Sequence, residues 1–374
     1  MLGLFDSIAP KEFVEYLLIH SLLTTKNNGD IMSEYCELCH SHNLTHLLKK
    51  DVKSKHFLNI VSCEDCGLIA QKEIPSDEEL KIYYSHNYRQ DYKSTYSPKP
   101  KYVQRAGQAA LDRIQYLEKH LNIRQQTLID VGAGGGEFVY MAKQRGFLSS
   151  GIEPNVGYSS FSKEQYGVEV KTAMLADVEE SSADVLTLFH VFEHMAKPDE
   201  VMKKLHRCLK ENGHLFIEVP NILQADASPH NIYFKAHLFY YSRHTLISMA
   251  SPYFEVVNVE DQGNLRVLFK KRTQVLESTT LPTAQAVQYA QQRLQKKGWF
   301  EYLILVGGIL KPLLRIERIV AEAFISKKQP KQILDDLLAD EKQTSYFIPR
   351  RQVKRAGAWS IASGLGLITY EVLF

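Results

Sequence analysis

Residues 128–138 constrain the fold of this 374-residue chain more than any other segment. An apolar run ends around Asp130, a glycine-rich stretch follows from Gly132 to Gly136, and the next residues have helical character. This order predicts a β-strand, a tight loop and the N-terminus of a helix. Because glycine has no side chain, a ligand can lie directly against the backbone of such a loop. A second acid, Glu153, follows another short apolar segment, which predicts a nucleotide-type pocket at the carboxyl edge of a parallel sheet.

Two classes of ligand compete for this predicted pocket. The dinucleotide fingerprint is G-x-G-x-x-G, but Glu137 stands where its last glycine belongs. A carboxylate at the start of a helix repels the pyrophosphate that would bind there, and Asp130 adds negative charge nearby. S-adenosylmethionine (SAM) fits better, because it carries an ammonium and a sulfonium and has no phosphate. Glu153 is then expected to accept hydrogen bonds from both ribose hydroxyls.

Four motifs in order make the chain resemble a class I SAM-dependent methyltransferase between residues 127 and 271. The matching segments are residues 128–136, 151–154, 184–194 and 209–221. The resemblance implies a Rossmann-like α/β fold with a seven-stranded sheet whose last strand is antiparallel. The hydrophobic pattern predicts the same order. Strands are expected near residues 127–131, 149–153, 168–172, 184–189, 214–219, 254–260 and 264–271.

The predicted cofactor contacts follow the first four strands. The residues are Asp130, Gly132, Ala133, Gly134, Glu153, Pro154, Asp177 and His190. Asp130 is expected to act on the methionine ammonium, directly or through water, and Asp177 to reach the adenine amine. His190 ends the fourth strand and is expected to contact SAM or the acceptor. The neighbouring Glu193 and His194 are equally suited to bracing the next helix.

His237 is the candidate catalytic base, and His190 is the second catalytic candidate. Methyl transfer is an in-line displacement that requires alignment and often removal of an acceptor proton. Residues 233–242 resemble a segment of sugar C-methyltransferases, but Lys235 and Ala236 replace its preceding His and Glu. Methylation of a hydroxyl or amine is therefore expected, unless His237 is only a structural histidine. His230 and Tyr233 are secondary candidates.

Two C-x2-C pairs predict a zinc ribbon. The cysteines are Cys36, Cys39, Cys63 and Cys66. The alternative is two disulfides in an exported chain, and the absence of a secretory signal argues against it. Four thiolates complete a tetrahedron, so the Zn²⁺ is expected to be structural. The fifth cysteine, Cys208, is expected to be buried in a helix.

The order of the N-terminal segments makes the resemblance more specific, to one group of methyltransferases. A ribbon, a short helix with a Ser76–Glu79 capping box and a tyrosine-rich stretch resemble methyltransferases with an N-terminal zinc-binding module. Those enzymes act on nucleotide-linked (NDP-hexose type) sugars and related bacterial saccharides, which implies a small-molecule acceptor of that kind. Two alternatives stay open: an RNA or protein methyltransferase that uses the ribbon as a reader, and a noncatalytic scaffold.

Five segments are predicted along the chain. They are an N-terminal helix (1–32), the zinc ribbon (33–75), a Tyr-rich connector with a lead-in helix (76–121), the methyltransferase domain (122–274) and a mainly helical C-terminal region (275–374). The tyrosines pack on the surface or form an aromatic lid. The C-terminal region is expected to pack on the body of the enzyme, with contact to a partner or a membrane surface as the alternative.

Net charge and hydrophobic pattern limit the classes of partner that the chain is expected to bind. A net charge of +2 gives no broad basic field, so strong nucleic-acid binding is not expected. No apolar stretch reaches the ~18 residues of a transmembrane helix. With no secretory signal, these features favour the cytoplasm.

Overall fold

A computed structural model describes residues 31–344. The exceptions within that range are residues 33, 52–53, 83–97, 226–227, 230, 306–307, 313–314, 317–318, 320–321, 323–324 and 326. The predicted helix before residue 31, five of the six clustered tyrosines, His230 and the basic run at 350–355 therefore lie outside the described residues. No helix in the described part of the chain is long and apolar enough to cross a membrane.

Secondary structure follows the predicted order. The strands are β1 (Ile31–Met32), β2 (Leu44–Lys50), β3 (Phe57–Cys63), β4 (Ile69–Gln71), β5 (Glu73–Ile74), β6 (Thr127–Val131), β7 (Leu148–Ile152), β8 (Val170–Lys171), β9 (Ala183–Phe189), β10 (Leu209–Val219), β11 (Phe239–Tyr240), β12 (Phe254–Glu260) and β13 (Leu265–Lys271). The α-helices are α1 (Asp77–Ile82), α2 (Pro100–His120), α3 (Glu137–Gln144), α4 (Val156–Tyr166), α5 (Pro198–Cys208), α6 (Arg243–Ala250), α7 (Ala284–Lys296) and α8 (Pro330–Thr344). Short helical turns occupy Leu175–Asp177, Phe192–His194, Glu301–Leu305 and Gly308–Leu310.

The central sheet has seven strands in the order β12-β13-β10-β9-β6-β7-β8. Strands β10, β9, β6, β7 and β8 are parallel, and β13 runs antiparallel to β10. The predicted fold class is therefore confirmed. Two strands differ in length from the prediction. β8 has only two residues, and β10 begins early because Leu209 already pairs with Ala183 before an irregularity ahead of His214.

Helix α8 packs on the body of the protein through α2. The buried residues of α2 recur every three or four positions, which gives the helix one apolar face. Gly107 lies on that face, where an added Cβ would come within 2.6 Å of Leu334. Ile333 and Leu334 are fully buried against this face. Packing of the C-terminal region on the enzyme body is thus confirmed for α8.

The ribbon and the central domain share a sheet that the sequence did not predict. Strands β2, β3 and β4 form an antiparallel meander, and β11 from far along the chain adds to its edge. The register pairs Ala70 with Phe239 and Ile69 with Tyr240. β11 follows directly after the loop that carries His237, so the sheet of the ribbon holds the end of that loop. At the start of α1, Ser76 and Glu79 form the predicted capping box.

Candidate functional site

A cleft of about 1210 Å³ opens at the carboxyl ends of β6, β7 and β9. Seven of the eight predicted cofactor residues line it: Gly132, Ala133, Gly134, Glu153, Pro154, Asp177 and His190. The eighth, Asp130, lies beneath the cleft wall. The cleft is larger than most single-ligand pockets, which leaves room for a second molecule beside a cofactor.

Three positions of the loop after β6 require glycine. Gly132, Gly134 and Gly136 all have positive φ, a region that other residues adopt with strain. A Cβ at Gly132 would lie 2.5 Å from Val191, and a Cβ at Gly136 would lie 2.6 Å from Ser162. The glycines therefore bring the loop against its neighbours and leave main chain exposed on the cleft wall.

Glu153 follows β7 directly and faces this loop. Its side chain is only 3% exposed, yet it lines the cleft. One carboxylate oxygen accepts a hydrogen bond from the Gly134 N–H at 3.0 Å, and the other accepts one from the Asn155 N–H at 3.2 Å. These two bonds fix an anionic group at the edge of the glycine loop.

Asp130 is held below the loop. It is 3% exposed and accepts a hydrogen bond from the Thr187 hydroxyl at 2.7 Å. Burial raises the pKa of Asp130 to about 7, against the opposing effects of Thr187 and Arg113. Because Asp130 does not line the cleft, an indirect action on a bound ammonium is the route that fits this geometry. Asp177 lies at the far end of the cleft in an exposed turn, where it accepts a hydrogen bond from the Met174 N–H at 2.8 Å.

A buried carboxylate surrounded by histidines lies beyond the end of β9. Glu193 is 1% exposed, and within the described residues neither of its carboxylate oxygens has a hydrogen-bond partner. Its Oε1 lies 3.6 Å from His190 Nδ1, 3.9 Å from His194 Nε2 and 4.0 Å from His237 Nε2. Glu193 and His194 do not cap the next helix, since α5 begins after Lys197.

His190 connects this cluster to a second buried carboxylate, Glu218. His190 Nε2 lies 3.2 Å from Glu218 Oε1, and Glu218 also accepts hydrogen bonds from Arg113 at 2.8 Å and Arg266 at 2.7 Å. Burial opposes protonation of His190, but the carboxylates of Glu193 and Glu218 raise its pKa to about 9. The raised pKa favours the cationic form of His190.

His237 lies on a loop that the ribbon clamps. The side-chain amide of Gln71 lies 2.7 Å from the carbonyl oxygen of His237 and 2.9 Å from that of Lys235, as a donor to both. Asp51 is fully buried and accepts a hydrogen bond from the Lys235 N–H at 3.0 Å. On the other side, the Leu238 N–H donates to the Glu193 carbonyl at 2.8 Å.

Beside this loop is a small cavity of about 40 Å³. His237 lines it together with aromatic and amide side chains, including Phe234, Asn221 and Asn231. The His237 side chain is 16% exposed. Tyr233, a secondary candidate, packs edge-on against Tyr240 with its ring centroid 5.0 Å away.

The four predicted metal ligands meet in the ribbon. Cys36 Sγ lies 3.4 Å from Cys66 Sγ, Cys39 Sγ lies 3.5 Å from Cys63 Sγ, and all four sulfur atoms are within 4.8 Å of one another. All five cysteines are free thiols, so the disulfide alternative is wrong. The donor set suits a tetrahedral thiolate-binding metal. Cys208 is fully buried, as expected.

Sequence reasoning missed several residues of this region. Glu218 had a readable signal, because it is an acid within the apolar run of β10. Such an acid is buried only when it is paired. Gln71, Asp51 and Arg113 gave no signal, since each is an ordinary polar residue whose partner lies more than 100 positions away.

Residues 101–272 match the model of a family described as a methyltransferase domain. The ubiquinone biosynthesis O-methyltransferases of Pseudomonas paraeruginosa and Pseudomonas entomophila are each 26% identical over 117 residues, which cover 29% of this chain and 50% of theirs. The chain thus spans about half the length of the curated relatives it matches.

Among solved structures, the magnesium protoporphyrin IX methyltransferase of Synechocystis PCC 6803 is 11% identical, with a TM-score of 0.42 over 53% of this chain and 100% of that one. A SAM-dependent methyltransferase of Aquifex aeolicus is 15% identical, with a TM-score of 0.38 over 47% of this chain and 100% of that one. Residues 101–272 are therefore similar to a methyltransferase domain.

Proposed function

We propose that this chain transfers the methyl group of SAM to a hydroxyl or amine of a small-molecule acceptor, a nucleotide sugar or bacterial saccharide. One observation carries the proposal: a glycine loop with bare main chain faces the buried carboxylate of Glu153 across a cleft in the methyltransferase domain. That arrangement suits a cationic adenosine donor without phosphates.

In this proposal the cofactor lies along the carboxyl edge of β6 and β7. The main chain of Gly132, Ala133 and Gly134 contacts the methionine part, and Asp130 lies beneath this main chain. Glu153 accepts the two ribose hydroxyls, which a carboxylate does well because it offers two acceptor oxygens. Pro154 and Asp177 line the adenine end of the cleft.

The acceptor is proposed to approach from the side of His190 and His237. His190, as a cation, stabilises negative charge that develops on the acceptor, and His237 promotes loss of the acceptor proton. The amide of Asn231 beside His237 offers a donor and an acceptor, which matches a hydroxyl-rich molecule.

The ribbon is proposed to bind structural Zn²⁺ and to position the acceptor loop. An edge strand of the ribbon, Gln71 and Asp51 all contact residues 235–240, which supports this role. Because this edge of the ribbon is occupied by contacts within the chain, the ribbon is less suited to binding RNA or protein. The noncatalytic alternative is disfavoured by the intact glycine loop and Glu153.

Calorimetry and an acceptor panel test the proposal. The full chain is expected to bind SAM with one site per chain and to show no binding of NAD⁺. Labelled SAM is then incubated with nucleotide sugars, their free sugars, tRNA and peptides. Label in a sugar product supports the proposal. Label only in tRNA or peptide, or NAD⁺ binding in place of SAM, would overturn it.

A further inference from the structure

The carboxylate of Glu193 is buried among three histidines and has no hydrogen bond to any described residue. The His190 ring, 3.6 Å from Oε1, offsets part of the cost of burying this charge, but it too lies beyond hydrogen-bond distance. The distances of 3.9 Å and 4.0 Å from Oε1 to His194 and His237 exceed the usual 2.7–3.2 Å of a hydrogen bond. The His194 and His237 imidazoles thus converge on the Glu193 carboxylate without donating a hydrogen bond to it.

We infer that Glu193, His194 and His237 form a binding site for a divalent transition-metal ion. Their three ligand atoms, Glu193 Oε1, His194 Nε2 and His237 Nε2, all lie within 4.8 Å of one another. Metal–ligand bonds of about 2.1 Å in a tetrahedron separate the donors by about 3.4 Å. Each side chain therefore needs to move inward by only about 0.5 Å to bind a shared ion.

The surroundings hold these ligands in the orientation that a metal requires. His194 Nδ1 lies 2.6 Å from the Ala236 carbonyl oxygen. A carbonyl only accepts hydrogen bonds, so Nδ1 carries the proton and Nε2 keeps its lone pair toward Glu193. A backbone carbonyl on the other ring nitrogen is a common support for metal-binding histidine. The bond from the Leu238 N–H to the Glu193 carbonyl ties the two ligand-bearing segments together.

The donor set selects the class of ion. Two imidazoles and one carboxylate suit Zn²⁺, Fe²⁺ or Co²⁺, whereas Mg²⁺ and Ca²⁺ prefer all-oxygen sites. Three protein ligands leave at least one open coordination position. His194 lines the large cleft and His237 lines the small cavity, so the site lies between the two.

This site deepens the proposed function, on which its catalytic role rests. The open position takes an acceptor oxygen, and the ion lowers the pKa of that oxygen. His237 then acts through the ion as a ligand rather than as a free base. Binding of the ion itself does not depend on the identity of the acceptor.

Titration with Co²⁺ tests the site on the full chain purified with zinc in the ribbon. Visible absorption and elemental analysis are expected to give one equivalent of Co²⁺ beyond the ribbon metal, with weak d–d bands and no sulfur-to-metal charge transfer. Glu193→Gln and His237→Ala should each weaken this uptake at least tenfold. His46→Ala, a matched change at an exposed histidine of β2, should leave it unchanged. Cys63→Ser should lose the ribbon metal.

The inference is overturned if the wild-type chain takes up no Co²⁺ beyond the ribbon, or if Glu193→Gln and His237→Ala both bind it as the wild type does. Circular dichroism of each variant checks folding, and the partly exposed His237 provides the decisive variant if Glu193→Gln does not fold. SAM calorimetry on the same samples separates the two proposals. Normal SAM binding without the extra Co²⁺ defeats the metal site alone, and Co²⁺ uptake without SAM binding defeats the proposed function alone.

Discussion

The proposed cofactor side and the proposed acceptor side are built in different ways. On the cofactor side, Gly134 and Glu153 are 19 positions apart and follow adjacent parallel strands. On the acceptor side, the contacts that position the His237 loop join residues separated by 166 positions for Gln71 and 184 for Asp51. The first wall is therefore a local motif, and the second is an assembly of distant segments around a buried carboxylate.

This difference suggests a division of labour. The local wall can bind the same cofactor in many sequences, because main chain and one acid suffice. The assembled wall depends on the ribbon, on β11 and on Glu193 together, so it can be changed without disturbing the cofactor site. Variants on the two walls should then separate cofactor affinity from turnover.

His237→Ala should have the largest effect and should act on the acceptor side alone. Loss of a group that promotes proton removal typically lowers kcat by about 10²–10⁴-fold. The affinity for SAM, measured by calorimetry, should stay within about twofold, since His237 does not line the large cleft. Full turnover in this variant would remove His237 from the proposed machinery.

Glu153→Ala should break the cofactor side. Hydrogen bonds to a charged group contribute about 1.5–3 kcal/mol each, so losing two ribose contacts should weaken SAM binding at least about 100-fold. Glu164→Ala, an exposed change on the neighbouring α4, is the matched control and should bind SAM normally. Equal affinities in the two variants would show that the pocket has been misplaced.

Gln71→Leu should lower turnover by a smaller factor, and it tests whether the two sides are independent. The variant removes the amide that donates to the His237 loop, and small displacements of a catalytic group lower the rate. We expect kcat to fall about tenfold with SAM affinity unchanged, while the exposed Gln108→Leu on α2 behaves like the wild type. A loss of SAM affinity in Gln71→Leu would mean that the two walls are not independent.

Asp130→Asn should be visible as a change in the pH dependence of stability. The pKa of Asp130 is about 7 in the folded protein and 3.8 ordinarily, so between these values the folded state holds a proton that the unfolded chain has released. Rising pH therefore favours unfolding in that window, by at most about 1.4 kcal/mol per pH unit. In urea titrations, the unfolding free energy of the wild type relative to Asp130→Asn should fall from pH 4 to 7 and then level off. A constant difference would mean that Asp130 titrates normally.

The sequence alone determined the fold class and the glycine loop of the proposed cofactor side. Strand order follows from the alternation of apolar runs, and the loop after β6 follows from Gly132 and Gly136, whose backbone angles and close neighbours exclude a side chain. The meeting of the four cysteines was also predictable, because two C-x2-C pairs at this spacing suit one tetrahedral ion. Each of these features depends on residues near one another in sequence or on a strict chemical pattern.

Only the tertiary structure decided the acceptor side. Nothing in the sequence around Gln71 or Ile69 predicts pairing with residues 237–240, because strand pairing at an exposed edge depends on which segment the fold brings there. Likewise, packing brings His237 next to Glu193 and His194, although 44 positions of chain separate Glu193 from His237. Local chemistry fixes what a segment can form, whereas burial and long-range pairing fix which groups meet.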